Sequence, residues 1–146
     1  MKKKEINSIR VELPARSQNE SLARQIICSF AASIDPTLEE LGELRIIISE
    51  AVTNCVVHAY RGTSGDIYIS ASLYNDRTLK IKIKDRGCGI ENIEKCMEPF
   101  YTTDEAGERG GMGFAIMKEL SNSLSVRSKP GRGTTVTLVK AFGAEK

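Results

Sequence analysis

A two-layer α/β (α+β) sandwich, a mainly antiparallel mixed sheet with helices on one face, is the fold this sequence predicts. Three observations lead there. Residues 67–83 hold two runs of apolar/polar alternation joined at Asn75-Asp76, the mark of a hairpin with one buried face. Two earlier stretches repeat apolar residues at helical spacing. Near the C-terminus a short helical run precedes two more alternating runs, which flank a Pro130-Gly131 turn.

The elements follow in order. Ile9, Val11 and Leu13 alternate and predict a first strand, closed by Pro14. Ser17 and Glu20 match a capping box, after which Leu22, Ile26, Phe30 and Ile34 predict the buried face of a first helix. Asp35 is the expected cap of a second helix, with Pro36 in its first turn and Glu39 and Glu40 near its positive end. Its expected core face is Leu41, Leu44, Ile48, Ala51, Val52, Cys55 and Ala59, and Arg61 to Gly65 end it. The hairpin buries Ile67, Ile69, Ala71 and Leu73 on one strand and Leu79, Ile81 and Ile83 on the other. Residues 97–111 have no clear period. Phe114 to Leu120 read as a third helix, Leu124 and Val126 as a strand, Lys129 to Gly133 as a turn, and Val136 and Leu138 as the last strand. No repeat appears, and one domain spanning residues 1–146 is expected.

Composition narrows the function. Forty per cent hydrophobic and 27% charged residues are ordinary for a soluble globular chain. A formal charge of +2 predicts no strong electrostatic grip on nucleic acid or an acidic membrane. Met1-Lys2-Lys3-Lys4 is followed by Glu5, Asn7, Ser8 and Arg10 rather than by an apolar run, and no stretch approaches a membrane span. A cytoplasmic protein is expected. Cys28, Cys55, Cys88 and Cys96 form no C-x-x-C pair, and His58 is the one histidine, so free thiols are expected rather than a zinc site.

Three polar signatures remain. Glu50, Asn54 and His58 are spaced four apart and share one stripe of the second helix, away from its apolar set. Asn54 offers a neutral oxygen suited to a magnesium ion that keeps its waters and binds phosphate. Glu50, one turn away, can accept a proton from an attacking hydroxyl. Taken alone, such a stripe also suits a solvated helix face. Asp85 ends a buried strand before Gly87 and Gly89; a carboxylate there can accept from an adenine amino group while the glycines admit the base edge. A plain turn is the other reading of that segment. Gly110, Gly111 and Gly113 open a helix whose first amides can face phosphate, with Arg109 beside them for a terminal phosphate. This is no Walker loop, and alone it is an ordinary glycine-rich segment. Thr102, Thr103 and Arg109 are candidate phosphate contacts on a lid formed by residues 97–111, expected to order when a terminal phosphate is present. Thr134, after Gly131-Arg132-Gly133, is a further candidate contact to phosphate or the adenine pocket. The conjunction of these signals, in one order along one chain, points to an ATP site.

The four segments resemble the N, G1, G2 and G3 boxes of the Bergerat-fold ATPases, the superfamily of gyrase, Hsp90, histidine kinases and MutL. The match is closer still. Ser17-Gln18-Asn19-Glu20-Ser21, Ser49 to Asn54, Phe100-Tyr101-Thr102-Thr103 and Glu108 to Phe114 are similar to the anti-sigma-F factors of spore-forming Firmicutes, from about residue 6 to residue 140. The resemblance implies a Bergerat-type ATP-binding fold. It also implies a serine protein kinase that binds a sporulation sigma factor of the sigma-F type, phosphorylates its anti-anti-sigma partner on serine, and forms a homodimer. It assigns Glu50 as catalytic base, Arg109 as the contact to the terminal phosphate, Asn54 as the magnesium ligand and Asp85 as the adenine reader. Gly87, Gly89, Thr103, Gly111, Met112, Gly113 and Thr134 complete the ATP/ADP contacts, and Arg24 meets the sigma factor. Asp104 stands where many relatives carry lysine, and Ala59 where a glycine is usual. The alternatives are a histidine-kinase catalytic domain, disfavoured because no separate phosphoacceptor histidine accompanies His58, and an ATP-dependent binding module without phosphoryl transfer.

Overall fold

The structure, a computed structural model, describes residues 2–61, 63–92 and 113–143. Strand β1 (Glu5–Pro14) leads into helix α1 (Gln18–Ala31), a 3-10 turn (Ala32–Ile34) and helix α2 (Leu38–Thr53). Helix α2 runs on as a π-helical turn, Asn54–Ala59. Strands β2 (Asp66–Tyr74) and β3 (Thr78–Asp85), helix α3 (Gly113–Leu120), and strands β4 (Ser123–Lys129) and β5 (Gly133–Ala141) follow. The sheet order is β1-β2-β3-β5-β4, and among the described residues every neighbouring pair is antiparallel rather than mixed.

Alternation decides the sheet, because successive side chains point to opposite faces. Ile67, Ile69, Ala71 and Leu73 are buried, and across the hairpin so are Leu79, Ile81 and Ile83. Lys82 and Lys84 take the other face of β3 and are exposed. Val136 and Leu138 join the core from β5. Each such Ile or Leu contributes about 1.5–3 kcal/mol through apolar burial. Helix α2 packs between α1 and α3 and supplies Leu44, Ile47, Ile48, Ala51 and Val52.

Three local expectations are corrected. The buried face of α1 is Ala23, Ile27, Cys28 and Ala31, while Leu22 is 43% exposed; of the expected stripe, Ile34 beyond the helix is buried and Phe30 packs against the core. The buried stripe is thus one residue on from the stripe of larger side chains, and its two alanines let α1 lie close against α2. Ser17 makes no side-chain cap: Glu20 instead accepts from Ser49 Oγ on α2 and lies 3.6 Å from Arg24 Nε. The cap of α2 is Thr37, not Asp35. Thr37 Oγ1 accepts from the Glu40 N–H at 3.1 Å, and Glu40 Oε1 accepts from the Thr37 N–H at 2.8 Å. Asp35, with φ of 50°, sits in the left-handed region and ends the 3-10 turn.

Lys140 is buried on β5, where its Nζ donates to the Leu120 carbonyl at 2.8 Å and lies 3.5 Å from Glu43 Oε2. One cation thereby satisfies the C-terminal end of α3 and pairs with α2. This fixes the direction from which α3 approaches the end of α2, where the polar signatures gather.

Candidate functional site

The first half of the site lies where α2 meets the start of α3. Glu50 and Asn54 are one turn apart and half-buried. Gly113, the first residue of α3, closes over both. A Cβ at Gly113 would stand 2.9 Å from Glu50 Oε2, 3.4 Å from Asn54 Oδ1 and 3.5 Å from Asn54 Nδ2. With no Cβ, Gly113 lets the helix backbone approach two polar side chains directly, and any side chain there would displace the end of Glu50. Asn54 Nδ2 is buried with no hydrogen-bond partner. A buried amide without a partner costs about 1–3 kcal/mol, so this group is set for a ligand acceptor.

Gly113→Ala tests this approach. The added methyl meets the flexible end of Glu50, not backbone, so the fold persists and Glu50 moves. Loss of transfer by about 10–100-fold, with nucleotide affinity changed far less, is the expected result in parallel binding and kinase assays. An equal loss of both would place Gly113 in binding alone.

The second half is built on Asp85, the last residue of β3 and only 6% exposed. Asp85 Oδ1 accepts from the Gly87 N–H at 2.9 Å and the Thr134 N–H at 3.2 Å. Asp85 Oδ2 accepts from the Cys55 thiol at 3.7 Å. Burial pushes the Asp85 carboxyl above its usual range, against the lowering effect of those hydrogen bonds. Thr134 pairs with Asp85 across β3 and β5, and its Oγ1 lies 2.8 Å from Ser128 Oγ. Ser128 also donates to the Gly133 carbonyl at 2.9 Å and accepts from the Ile90 N–H at 2.7 Å. Its single proton is used at Gly133, so Thr134 is the donor of that pair.

The loop after Asp85 is held against the π-helical turn. A Cβ at Gly87 would lie 2.3 Å from the Ala59 carbonyl oxygen, a contact only glycine permits. The Cys88 N–H donates to that same carbonyl at 2.9 Å, and the Cys88 carbonyl accepts from the Gly131 N–H at 2.7 Å. Gly89 takes a φ of 77° beside the β4–β5 turn. Tyr60 is a positioning residue that the sequence pattern does not mark. Its hydroxyl donates to the Asp66 carbonyl at 2.6 Å and accepts from the Arg86 N–H at 2.8 Å. One buried phenol thus joins the end of the π turn, the start of β2 and the loop after β3.

The structure therefore brings together Glu50, Asn54 and Gly113, and, across the same turn, Asp85, Gly87, Gly89 and Thr134. Thr102, Thr103, Arg109, Gly111, Met112 and the whole lid 97–111 lie outside the described residues. Arg24 belongs to neither half, but it pairs with Glu20, which accepts from Ser49 Oγ next to Glu50. It is half-buried on α1 and lines a cleft of about 410 Å³ with Ser21, Gln25, Cys28, Ser29 and Arg45. Cys28 and Cys55 are buried free thiols and Cys88 is an exposed one.

The residues present fit a magnesium ion that arrives on phosphate. Asn54 supplies one neutral oxygen, with the Glu50 carboxylate one turn away, a sparse donor set that leaves room for water and phosphate ligands. Among the described residues no group of three His, Cys, Asp or Glu side chains converges into a metal cage.

The family model described as a histidine kinase-like ATPase domain matches residues 13–140. The chain is 43% identical over 140 residues to an anti-sigma F factor of Thermoanaerobacter sp. (strain X514), covering 96% of this chain and 97% of that one. It is 44% identical over 136 residues to an anti-sigma F factor of Clostridium acetobutylicum, covering 93% and 94%. Among solved structures, that of the RsbU and RsbW domains of Rv1364c from Mycobacterium tuberculosis is similar with a TM-score of 0.68. At 21% identity, covering 94% of this chain and 32% of that longer one, it shows the shared fold.

Proposed function

The chain belongs to the anti-sigma F factor family, with a histidine kinase-like ATPase domain over residues 13–140, and from that premise we propose that it is an ATP-dependent protein-serine kinase that also holds a sigma factor. The observation that carries the reading is the approach of Gly113 to Glu50 and Asn54, beside an amide without a partner. A phosphate-facing helix start, a proton acceptor and a neutral metal ligand meet at one point, which is what phosphoryl transfer requires.

The substrate is ATP, and the acceptor is a serine of an anti-anti-sigma protein. The serine oxygen attacks the terminal phosphorus as the bond to the bridging oxygen breaks, releasing ADP and leaving phosphoserine. Glu50 takes the serine proton. Asp85 orients the adenine, with Thr134 beside it. Arg109 and the amides around Gly111, Met112 and Gly113 hold the phosphates, and Thr103 contacts them from the lid. Asn54 would hold magnesium, which supplies charge neutralisation at the phosphates when bound.

The test incubates the chain with terminally labelled ATP and a candidate anti-anti-sigma protein. Acid-stable label on serine supports the kinase. Acid-labile label supports a histidine route, and nucleotide binding without transfer supports a binding module; either result replaces the proposal.

The second half of the proposal is a sigma factor of the sigma-F type, bound through Arg24 by a homodimer acting in the cytoplasm during sporulation. Among the described residues no helix is long and apolar enough to cross a membrane. No direct contact to nucleic acid is proposed. Arg24 lies on a helix that contributes nothing to the nucleotide contacts above, and its Nε, which makes no hydrogen bond, is ion-paired with Glu20 at 3.6 Å. Arg24→Ala is expected to weaken sigma binding by roughly 2–5 kcal/mol while ATP affinity stays level. Calorimetry with each ligand checks this. Unchanged sigma affinity moves the binding surface elsewhere.

A further inference from the structure

We propose that Cys55 is a positioning residue for adenine recognition: its thiol holds Oδ2 of Asp85 toward the base. The inference rests on the reading of Asp85 as the adenine acceptor.

The two oxygens of Asp85 are not equivalent. Oδ1 already accepts two backbone N–H groups, from Gly87 and Thr134. An ionised carboxylate oxygen has two lone-pair sites, so Oδ1 is filled and the adenine amino group must use Oδ2. Among the described residues the donor to Oδ2 is the Cys55 thiol at 3.7 Å. A thiol is a weak donor and takes one lone pair, so it restrains the carboxylate while leaving Oδ2 able to accept again.

The backbone explains why Cys55 is there. It is the second residue of the π-helical turn, 3% exposed, directly after Asn54. Asn54 meets Gly113 while Cys55 meets Asp85. Adjacent residues thus serve the two halves of the site, and π-turns recur where a helix must aim side chains this way. In this pair the thiol is the donor, because an ionised carboxylate oxygen can only accept.

The experiment measures the affinity of the full chain for ATP and for purine riboside triphosphate, which lacks the 6-amino group. The unmodified protein is expected to prefer ATP by about 10–100-fold. Cys55→Ala is expected to cut that preference by about 3–10-fold, the effect of one neutral hydrogen bond, with the analogue's own affinity little changed. Cys55→Ser, which keeps a donor, is expected to restore most of it. Cys55→Val fills the site without a donor and gives the same reading if the alanine variant does not fold. An unchanged ATP preference in Cys55→Ala or Cys55→Val overturns the inference about Cys55 alone. No preference in the unmodified protein overturns the reading of Asp85 and takes this inference with it.

Discussion

Glu50→Gln retains ATP binding and loses serine phosphorylation by about 10²–10⁴-fold, the usual cost of removing a general base. The substitution keeps the length and hydrogen-bonding capacity of the side chain, so the contact to Gly113 and the half-buried position survive. What it removes is the ability to take a proton. Because ATP is held mainly through its adenine and phosphates, its dissociation constant is expected to stay within about 3-fold of the unmodified value, well under 1.4 kcal/mol. Calorimetry with ATP and single-turnover transfer to the acceptor protein separate the two effects. A parallel fall in binding and turnover assigns Glu50 to the metal or to structure and removes it from the chemistry.

Asp85→Asn weakens ATP and ADP alike, by about 10–100-fold, because the adenine is common to both and a charged hydrogen bond contributes roughly 1.5–3 kcal/mol. The apo protein responds differently. Burial raises the Asp85 pKa in the folded state above its usual value. Its contribution to stability is therefore full below the unfolded pKa and is lost as pH rises through the folded pKa. At neutral pH the ionised carboxylate is a net cost of desolvation that asparagine does not carry, while Oδ1 can still accept from Gly87 and Thr134. Asp85→Asn is thus expected to melt at or above the unmodified protein at pH 7 without nucleotide, and below it with saturating ATP. A lower melting temperature without nucleotide would assign Asp85 to the scaffold first. Equal binding of GTP and ATP by the unmodified protein would remove adenine from its role.

Asp85 also shows how far one residue can be read from sequence. Its place at the end of a buried strand follows from Leu79, Ile81 and Ile83, because a period of two has one structural meaning when one face is covered. Its partners do not follow. Thr134 is 49 residues away and reaches Asp85 only through the register of β3 against β5. Cys55 reads as a small buried thiol at helical spacing, and its bond to Asp85 exists only once α2 packs on the sheet and turns π-helical. Gly113 reads as one glycine in a cluster; that it touches Glu50 is a fact of how α3 docks, set by Lys140 beneath its C-terminal end.

By itself the sequence determined the strands and their buried faces, the existence of the helices, the hairpin turns, and the three polar signatures with their order. These depend on local periodicity and on residue types whose chemistry is narrow. Tertiary structure alone decided which of two adjacent stripes of α1 is buried, since Leu22 and Ile26 offer more apolar area but Ala23 and Ala31 allow the closer approach to α2. It decided the caps as well, because Ser49 on α2 draws Glu20 away from Ser17, while Thr37 keeps Glu40. And it decided the site, because a hydrogen bond between distant residues costs chain entropy that local pattern cannot report, and only the packed core holds Gly113 against Glu50 and Asn54 and Cys55 against Asp85.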